Sequence, residues 1–206
     1  MEISTSILSV QDRLKCIKKL NNTSTDYVHI DVMDNKFVPN YQLPTSEVNN
    51  LIYYTKKPFD IHLMVENPKE YIKKLNIKNV SCITIHVEID KDIYEIIDLI
   101  KSLNVKVGLA IKPNTDINLL DKYLDKVDTI LVMSVEPGFG GQKFIEKTPD
   151  RIKEIRAKKE DLIIEVDGGI NDKTINMIKD IADIAVVGIY ITNKENYGKA
   201  INSLKN

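Results

Sequence analysis

Four side chains able to bind a metal or carry a proton stand at the ends of apolar runs. They are His29 and Asp31 in YVHIDVMD, His62 in FDIHLM and Asp167 in IIEVDGG. In an extended segment alternate residues share a face. Val28, Ile30 and Val32 therefore point one way, and His29 and Asp31 point the other. A buried carboxylate beside an imidazole is costly unless it is paired or bound to a metal. Two imidazoles and two carboxylates suit zinc or a similar divalent ion, with room left for a substrate oxygen. The competing reading is a His–Asp pair that satisfies itself in a core. Two of the chain's three histidines stand at matching strand ends, which favours the ion. The third, His86 in TIHVE, also ends a strand and reads as a support rather than a ligand. Asp34, ahead of Asn35 and Lys36, reads as a turn residue and Asp60 as a support.

A second signal lies in the glycines. Gly140–Gly141, Gly168–Gly169 and Gly188 follow the last three apolar runs. Any one glycine pair is ordinarily a turn. Three in consecutive loops make a cradle of backbone N–H groups that holds phosphate without Lys or Arg.

These residues need elements to position them. Strand-like runs fall at 2–8, 27–33, 58–65, 82–86, 105–111, 129–134, 162–167 and 184–188. Helical spacing falls between them, at 14–20, 45–54, 68–75, 93–103, 117–124, 149–157, 172–180 and 195–204. Thr148 before Pro149, and Asn171–Asp172, mark helix starts. Strict alternation of strand and helix implies a parallel sheet. Eight units fit a closed (β/α)₈ barrel, whose size range begins at about 200 residues, so residues 1–206 are expected to form a single barrel domain. The active site of such a barrel lies at the C-terminal ends of its strands, where the His, Asp and Gly residues above are found. The alternative, a doubly wound open sheet, ordinarily carries a Gly-rich fingerprint after its first strand, and SILSVQD has none.

Bulk properties agree with a soluble globular protein. The chain is 43% hydrophobic and 29% charged, with 29 basic and 30 acidic residues interspersed. That mixture offers no basic patch for nucleic acid, and no apolar run reaches membrane-spanning length. The start, MEISTSILSV, lacks the basic and apolar regions of a signal peptide, so a cytoplasmic location is expected. Cys16 and Cys82 form no CxxC and read as reduced thiols rather than a disulfide.

The segments SILS, HIDVMDNKFVPN, DIHLMVENP, GLAIKPNT, MSVEPGFGGQKF and EVDGGIN, in this order along the whole chain, resemble the ribulose-phosphate 3-epimerase family. The resemblance implies an α/β fold, a (β/α)₈ TIM barrel of the ribulose-phosphate-binding type. It implies reversible C3 epimerisation of ribulose 5-phosphate and xylulose 5-phosphate in the pentose phosphate pathway. It further implies one divalent metal ion per subunit, usually Zn²⁺, with Fe²⁺, Mn²⁺ or Co²⁺ as alternatives, and a homo-oligomer. Carried onto this chain, the metal ligands are His29, Asp31, His62 and Asp167, and Asp31 and Asp167 form the acid–base pair. Ser6 and His62 lie against the substrate. Gly138, Phe139, Gly140, Gly141, Gly168 and Gly169 line its phosphate end with Gly188 and Ile189. Met33, Met64 and Met133 stand where the family has methionines beside the reacting carbons, although core filling explains methionines equally well. Residues 136–143 carry the glycines of a flap. Hexulose-phosphate (allulose 6-phosphate) 3-epimerases share the metal site, and a non-catalytic phosphosugar-binding barrel is the further alternative.

The chain departs from the family pattern in three places. Asn35 and Lys36 replace a Gly-His, and asparagine tolerates the left-handed turn better than most residues. Ile189 replaces a serine, which removes a hydroxyl from the phosphate end and is expected to cost about 1 kcal/mol of binding. Thr5 replaces a proline, with little effect expected.

Overall fold

The computed structural model describes residues 1–205. Strands β1 (Glu2–Ser6), β2 (Tyr27–Asp34), β3 (Tyr41–Gln42), β4 (Phe59–Met64), β5 (Val80–His86), β6 (Lys106–Ile111), β7 (Thr129–Met133), β8 (Ile163–Asp167) and β9 (Ile184–Val187) form one sheet. Eight of them pair in parallel, and pairing of β1 with both β9 and β2 closes the sheet into a barrel. The expected (β/α)₈ barrel is what the chain forms. The ninth strand, β3, is a two-residue antiparallel addition to the end of β2, too short for any alternation to announce it.

Helices α1 (Arg13–Leu20), α2 (Thr45–Leu51), α3 (Pro68–Ile72), α4 (Ile93–Ser102), α5 (Thr148–Lys158), α6 (Ile189–Thr192) and α7 (Tyr197–Lys205) cover the outside. Asp12 and Asp92 cap α1 and α4 by accepting the Lys15 and Glu95 backbone N–H groups at 2.9 and 3.2 Å. Two expected helices are 3₁₀ turns instead. Ile117–Leu120 and Leu124–Lys126 replace 117–124, and Thr174–Met177 replaces 172–180. Segment 172–180 is rich in Asp, Asn, Thr and Ile, which form helix interiors less readily than Ala, Leu or Lys. At 117–124 the chain turns at Asp116, whose Oδ1 accepts the Asn118 N–H at 3.0 Å. Asn171 opens the second turn, its Oδ1 accepting the Lys173 and Thr174 N–H groups at 2.9 and 3.2 Å.

Two interiors result from the alternation. Outward-facing Ile3, Val28, Ile30, Phe59, Ile61 and Ile83 join the main core between strands and helices, all fully buried. The barrel's own interior is divided. On β6, β7 and β9 it is apolar, with Ala110, Leu131, Met133 and Val186 as one cluster. On β1, β2, β4, β5 and β8 it is polar, with Ser4, Ser6, His29, Asp31, Asp60, His62, His86 and Glu165 buried. So many polar groups inside one half of a barrel require partners or a ligand.

Candidate active site

Sheet register brings the four sequence-selected residues together. Asp31 on β2 stands directly opposite His62 on β4, and Ser6 on β1 opposite His29 on β2. Asp167 ends β8, across the barrel. One potential ligand atom from each of His29, Asp31, His62 and Asp167 lies within 4.8 Å of the others. His29 Nε2 is 3.4 Å from Asp31 Oδ1. His62 Nδ1 is 3.5 Å from Asp31 Oδ1 and 3.9 Å from Asp167 Oδ2.

These separations are long for hydrogen bonds. Donors held about 2.0–2.2 Å from a tetrahedral ion stand roughly 3.4 Å apart, and the spacing here matches that. His29 Nε2 and His62 Nδ1 are both buried without a hydrogen-bond partner. A buried orphan nitrogen is expensive, and two converging with two carboxylates are what a divalent cation would satisfy. The donor set therefore fits a metal.

The opposite ring nitrogens are tied down. His29 Nδ1 is 2.6 Å from Asp60 Oδ2, which also accepts the Ser4 hydroxyl at 2.9 Å. Asp60 is thus a support. His62 Nε2 lies 2.8 Å from His86 Nε2. Asp31 Oδ2 accepts the Ser6 hydroxyl at 2.8 Å. Asp34 makes the expected turn, its Oδ1 accepting the Lys36 and Phe37 N–H groups, and Asn35 takes the left-handed conformation at φ 58°.

The two aspartates sit in different electrostatic environments. Burial works to raise the Asp31 carboxyl, but the His29 and His62 imidazoles outweigh it and hold Asp31 well below the usual carboxylate range. Burial and then the Asp31 charge push Asp167 up to about 6. The two carboxyls therefore differ in how readily they hold a proton. The Glu165 carboxyl, below Asp167 on β8, is raised well above its ordinary value by burial and then by Asp60. His29, Asp60 and Glu165 also converge; there His29 Nδ1 is bonded to Asp60 Oδ2, while Asp60 Oδ1 and Glu165 Oε1 are buried without a hydrogen-bond partner. Sequence reading gave Glu165 no role. Its position two residues before Asp167, on the same face of an apolar strand, was the available signal.

The cleft above the four residues is lined by Ser6, Met33, Met64 and Met133, and by the glycine loops after β7, β8 and β9. The three methionines are buried yet reach the cleft. The loop after β7 is braced by Gln142, whose Nε2 donates to the Glu136 and Phe139 carbonyls at 2.6 and 2.9 Å, and by Asn40 Nδ2, which donates to the Gly138 carbonyl at 2.8 Å. Phe139 is exposed at its tip. The Ile189 side chain lies over Gly140 and Gly141, its Cδ1 3.2 Å from where a Cβ on Gly141 would be. Thr5 is buried, with its hydroxyl 2.7 Å from that of Thr25. Among the described residues no helix is long and apolar enough to cross a membrane.

The chain is similar to known proteins in sequence and in fold. Residues 2–192 match the model of the ribulose-phosphate 3 epimerase family. The ribulose-phosphate 3-epimerase of Bacillus subtilis is 35% identical over 195 residues, covering 92% of this chain and 90% of that protein. That of Escherichia coli K12 is 38% identical over 186 residues, covering 87% and 83%. In fold, the chain is similar to 3-hexulose-6-phosphate synthase from Salmonella typhimurium, with a TM-score of 0.76 at 15% identity, covering 99% of this chain and 96% of that one. On the strength of the near-complete match and of the relatives' identity, the chain belongs to the ribulose-phosphate 3-epimerase family.

Proposed function

We propose that this protein is a metal-dependent ribulose-5-phosphate 3-epimerase that works by two-base proton transfer between Asp31 and Asp167. The observation that carries the reading is the convergence of two carboxylates with two unpartnered imidazole nitrogens at the mouth of the barrel. Inverting C3 beside a ketone requires removing a proton from one face and returning one to the other. Asp31 and Asp167 come from strands on different sides of the site, and each serves as base in one direction and acid in the other. His29, Asp31, His62 and Asp167 would hold the divalent ion. When bound, it supplies Lewis-acid polarisation of the ketone and neighbouring hydroxyl oxygens, which eases enolisation.

The remaining roles belong to this chain's own groups. Ser6 fixes the Asp31 carboxylate through its 2.8 Å hydrogen bond and offers its oxygen to the substrate. Met33, Met64 and Met133 give the reacting carbons an apolar bed that excludes water. Backbone amides of the loops at Gly138–Gly141, Gly168–Gly169 and Gly188–Ile189 receive the phosphate. Residues 136–143 close over the sugar as a flap, with Phe139 at the tip. A homo-oligomer and a cytoplasmic location complete the proposal. The first rests on the family alone, the second on two free buried cysteines, which suit a reducing compartment.

The test is turnover of ribulose 5-phosphate to xylulose 5-phosphate in a coupled assay, before and after chelation and after restoring Zn²⁺, Fe²⁺, Mn²⁺ or Co²⁺. Loss and recovery of turnover are expected. Full activity in protein shown metal-free by elemental analysis would overturn the metal dependence. Faster turnover of allulose 6-phosphate would reassign the substrate.

A further inference from the structure

His62 sits at the inner end of a hydrogen-bonded chain that leaves the barrel. Its Nε2 is 2.8 Å from His86 Nε2, with the two rings stacked at 5.0 Å between centroids. The other nitrogen of His86, Nδ1, is 3.0 Å from Glu88 Oε2. The remaining Glu88 oxygen, Oε1, accepts the Lys112 backbone N–H at 2.7 Å. Phe37 lies against the His86 ring at 4.7 Å. His62 and His86 are fully buried, while the Glu88 side chain is 15% exposed.

Each link constrains the next. An ionised carboxylate only accepts hydrogen bonds, so His86 Nδ1 carries the hydrogen that faces Glu88. Full burial favours a neutral imidazole, which leaves His86 Nε2 as an acceptor. His62 Nε2 must then be the donor between the two rings. The only nitrogen left on His62 with a free lone pair is Nδ1, the unpartnered atom 3.5 Å from Asp31 and 3.9 Å from Asp167. Reversing the order would place a hydrogen on Nδ1 and point it at the cation site.

We infer that Glu88 and His86 are positioning residues that set the tautomer of His62 and so present its Nδ1 lone pair to a divalent cation. The inference rests on the metal-dependent reading above. Asp60 does the same for His29 by a separate route, so the two imidazoles are oriented independently. The apparent turn segment DNKF has a part in it, because Phe37 closes the apolar side of His86. Lys112, whose backbone N–H holds Glu88, places its Nζ 4.0 Å from the Phe37 ring centroid and seals the same end.

Two measurements test this. Long-range ¹H–¹⁵N spectra of histidine-labelled, metal-free protein report the tautomer directly. His62 is expected to be protonated at Nε2 and bare at Nδ1, and a protonated Nδ1 would overturn the inference. Competition with a chromophoric chelator then gives Zn²⁺ affinity for the wild type, Glu88→Gln and Glu88→Leu, with thermal melts confirming that each is folded. Glu88→Leu is expected to weaken binding about 10–100-fold. Glu88→Gln, whose amide oxygen still accepts, is expected to fall between it and the wild type. A folded Glu88→Leu with wild-type affinity and an unchanged His62 tautomer would overturn the inference. Failure of the wild type itself to bind Zn²⁺ would overturn the metal-dependent reading instead, and the His62 spectrum would still decide the tautomer.

Discussion

Gly169→Ala is the perturbation whose cost can be worked most directly from the coordinates. Gly169 has φ +65°, a left-handed conformation that costs an ordinary L-residue roughly 1–2 kcal/mol. An added Cβ would also lie 2.5 Å from Phe144 N, 2.9 Å from Phe144 Cα and 3.0 Å from the Gln142 carbonyl. All three contacts are backbone, so no side-chain rotation relieves them, and overpacking of this kind adds about 1–3 kcal/mol. A total of about 3 kcal/mol corresponds, for a domain of this size, to a fall in Tm of roughly 6–12 °C. The displaced segment carries Gln142, whose two hydrogen bonds brace the loop after β7. The KM for ribulose 5-phosphate should therefore rise several-fold. Gly198→Ala is the control. It lies in the first turn of α7, its nearest neighbour to an added Cβ is 3.5 Å away, and the change should raise Tm by a few degrees, since alanine is favoured in helices by up to about 1 kcal/mol. Calorimetry of both variants checks the pair. A Gly169→Ala protein that melts with the wild type would refute the claim that this loop requires backbone-to-backbone approach.

Other predictions concern the cation, the phosphate end and the thiols. Zn²⁺ at a hundredfold excess over Kd should stabilise the metal-free protein by about 2.7 kcal/mol, raising Tm by roughly 5–10 °C. The same shift in His62→Ala would place the ion elsewhere. Ile189→Ser restores a hydroxyl beside the phosphate and should lower KM about fivefold with kcat unchanged, since one hydrogen bond contributes about 1 kcal/mol; initial-rate kinetics decide, and an unchanged KM would remove Ile189 from the phosphate end. Burial raises the Cys16 thiol and raises Cys82 further, so little reactive thiolate forms near pH 8. A thiol reagent should label neither cysteine in the native protein and both after denaturation, and rapid native labelling would contradict their burial.

Much of this was legible in the sequence because period-two alternation has a direct physical meaning. It separated the apolar outward face of β2 from His29 and Asp31, while position at the ends of apolar runs picked out His62 and Asp167. Asp60 and Glu165 obey the same alternation one layer deeper, so Glu165 was available to the same reasoning. The link from His62 through His86 to Glu88 was not. It depends on ring orientation and on the register between β4 and β5, where His62 pairs with Thr84, and neither is encoded in local spacing. The misread helices at 117–124 and 172–180 share a cause. Their apolar residues recur at helical intervals, but the Asp116 and Asn171 side chains accept N–H groups at their starts and the segments form short 3₁₀ turns. Residue identity likewise anticipated the left-handed turn at Asn35, while the packing of Ile189 over Gly140–Gly141 required the folded loop.

The most direct test of the central claim is exchange of the C3 hydrogen of ribulose 5-phosphate with solvent deuterium, followed by NMR for the wild type, Asp31→Asn and Asp167→Asn. Two-base transfer predicts rapid incorporation by the wild type and a loss of about 10²–10⁴-fold in each variant. Exchange near the wild-type rate in either asparagine variant would contradict it.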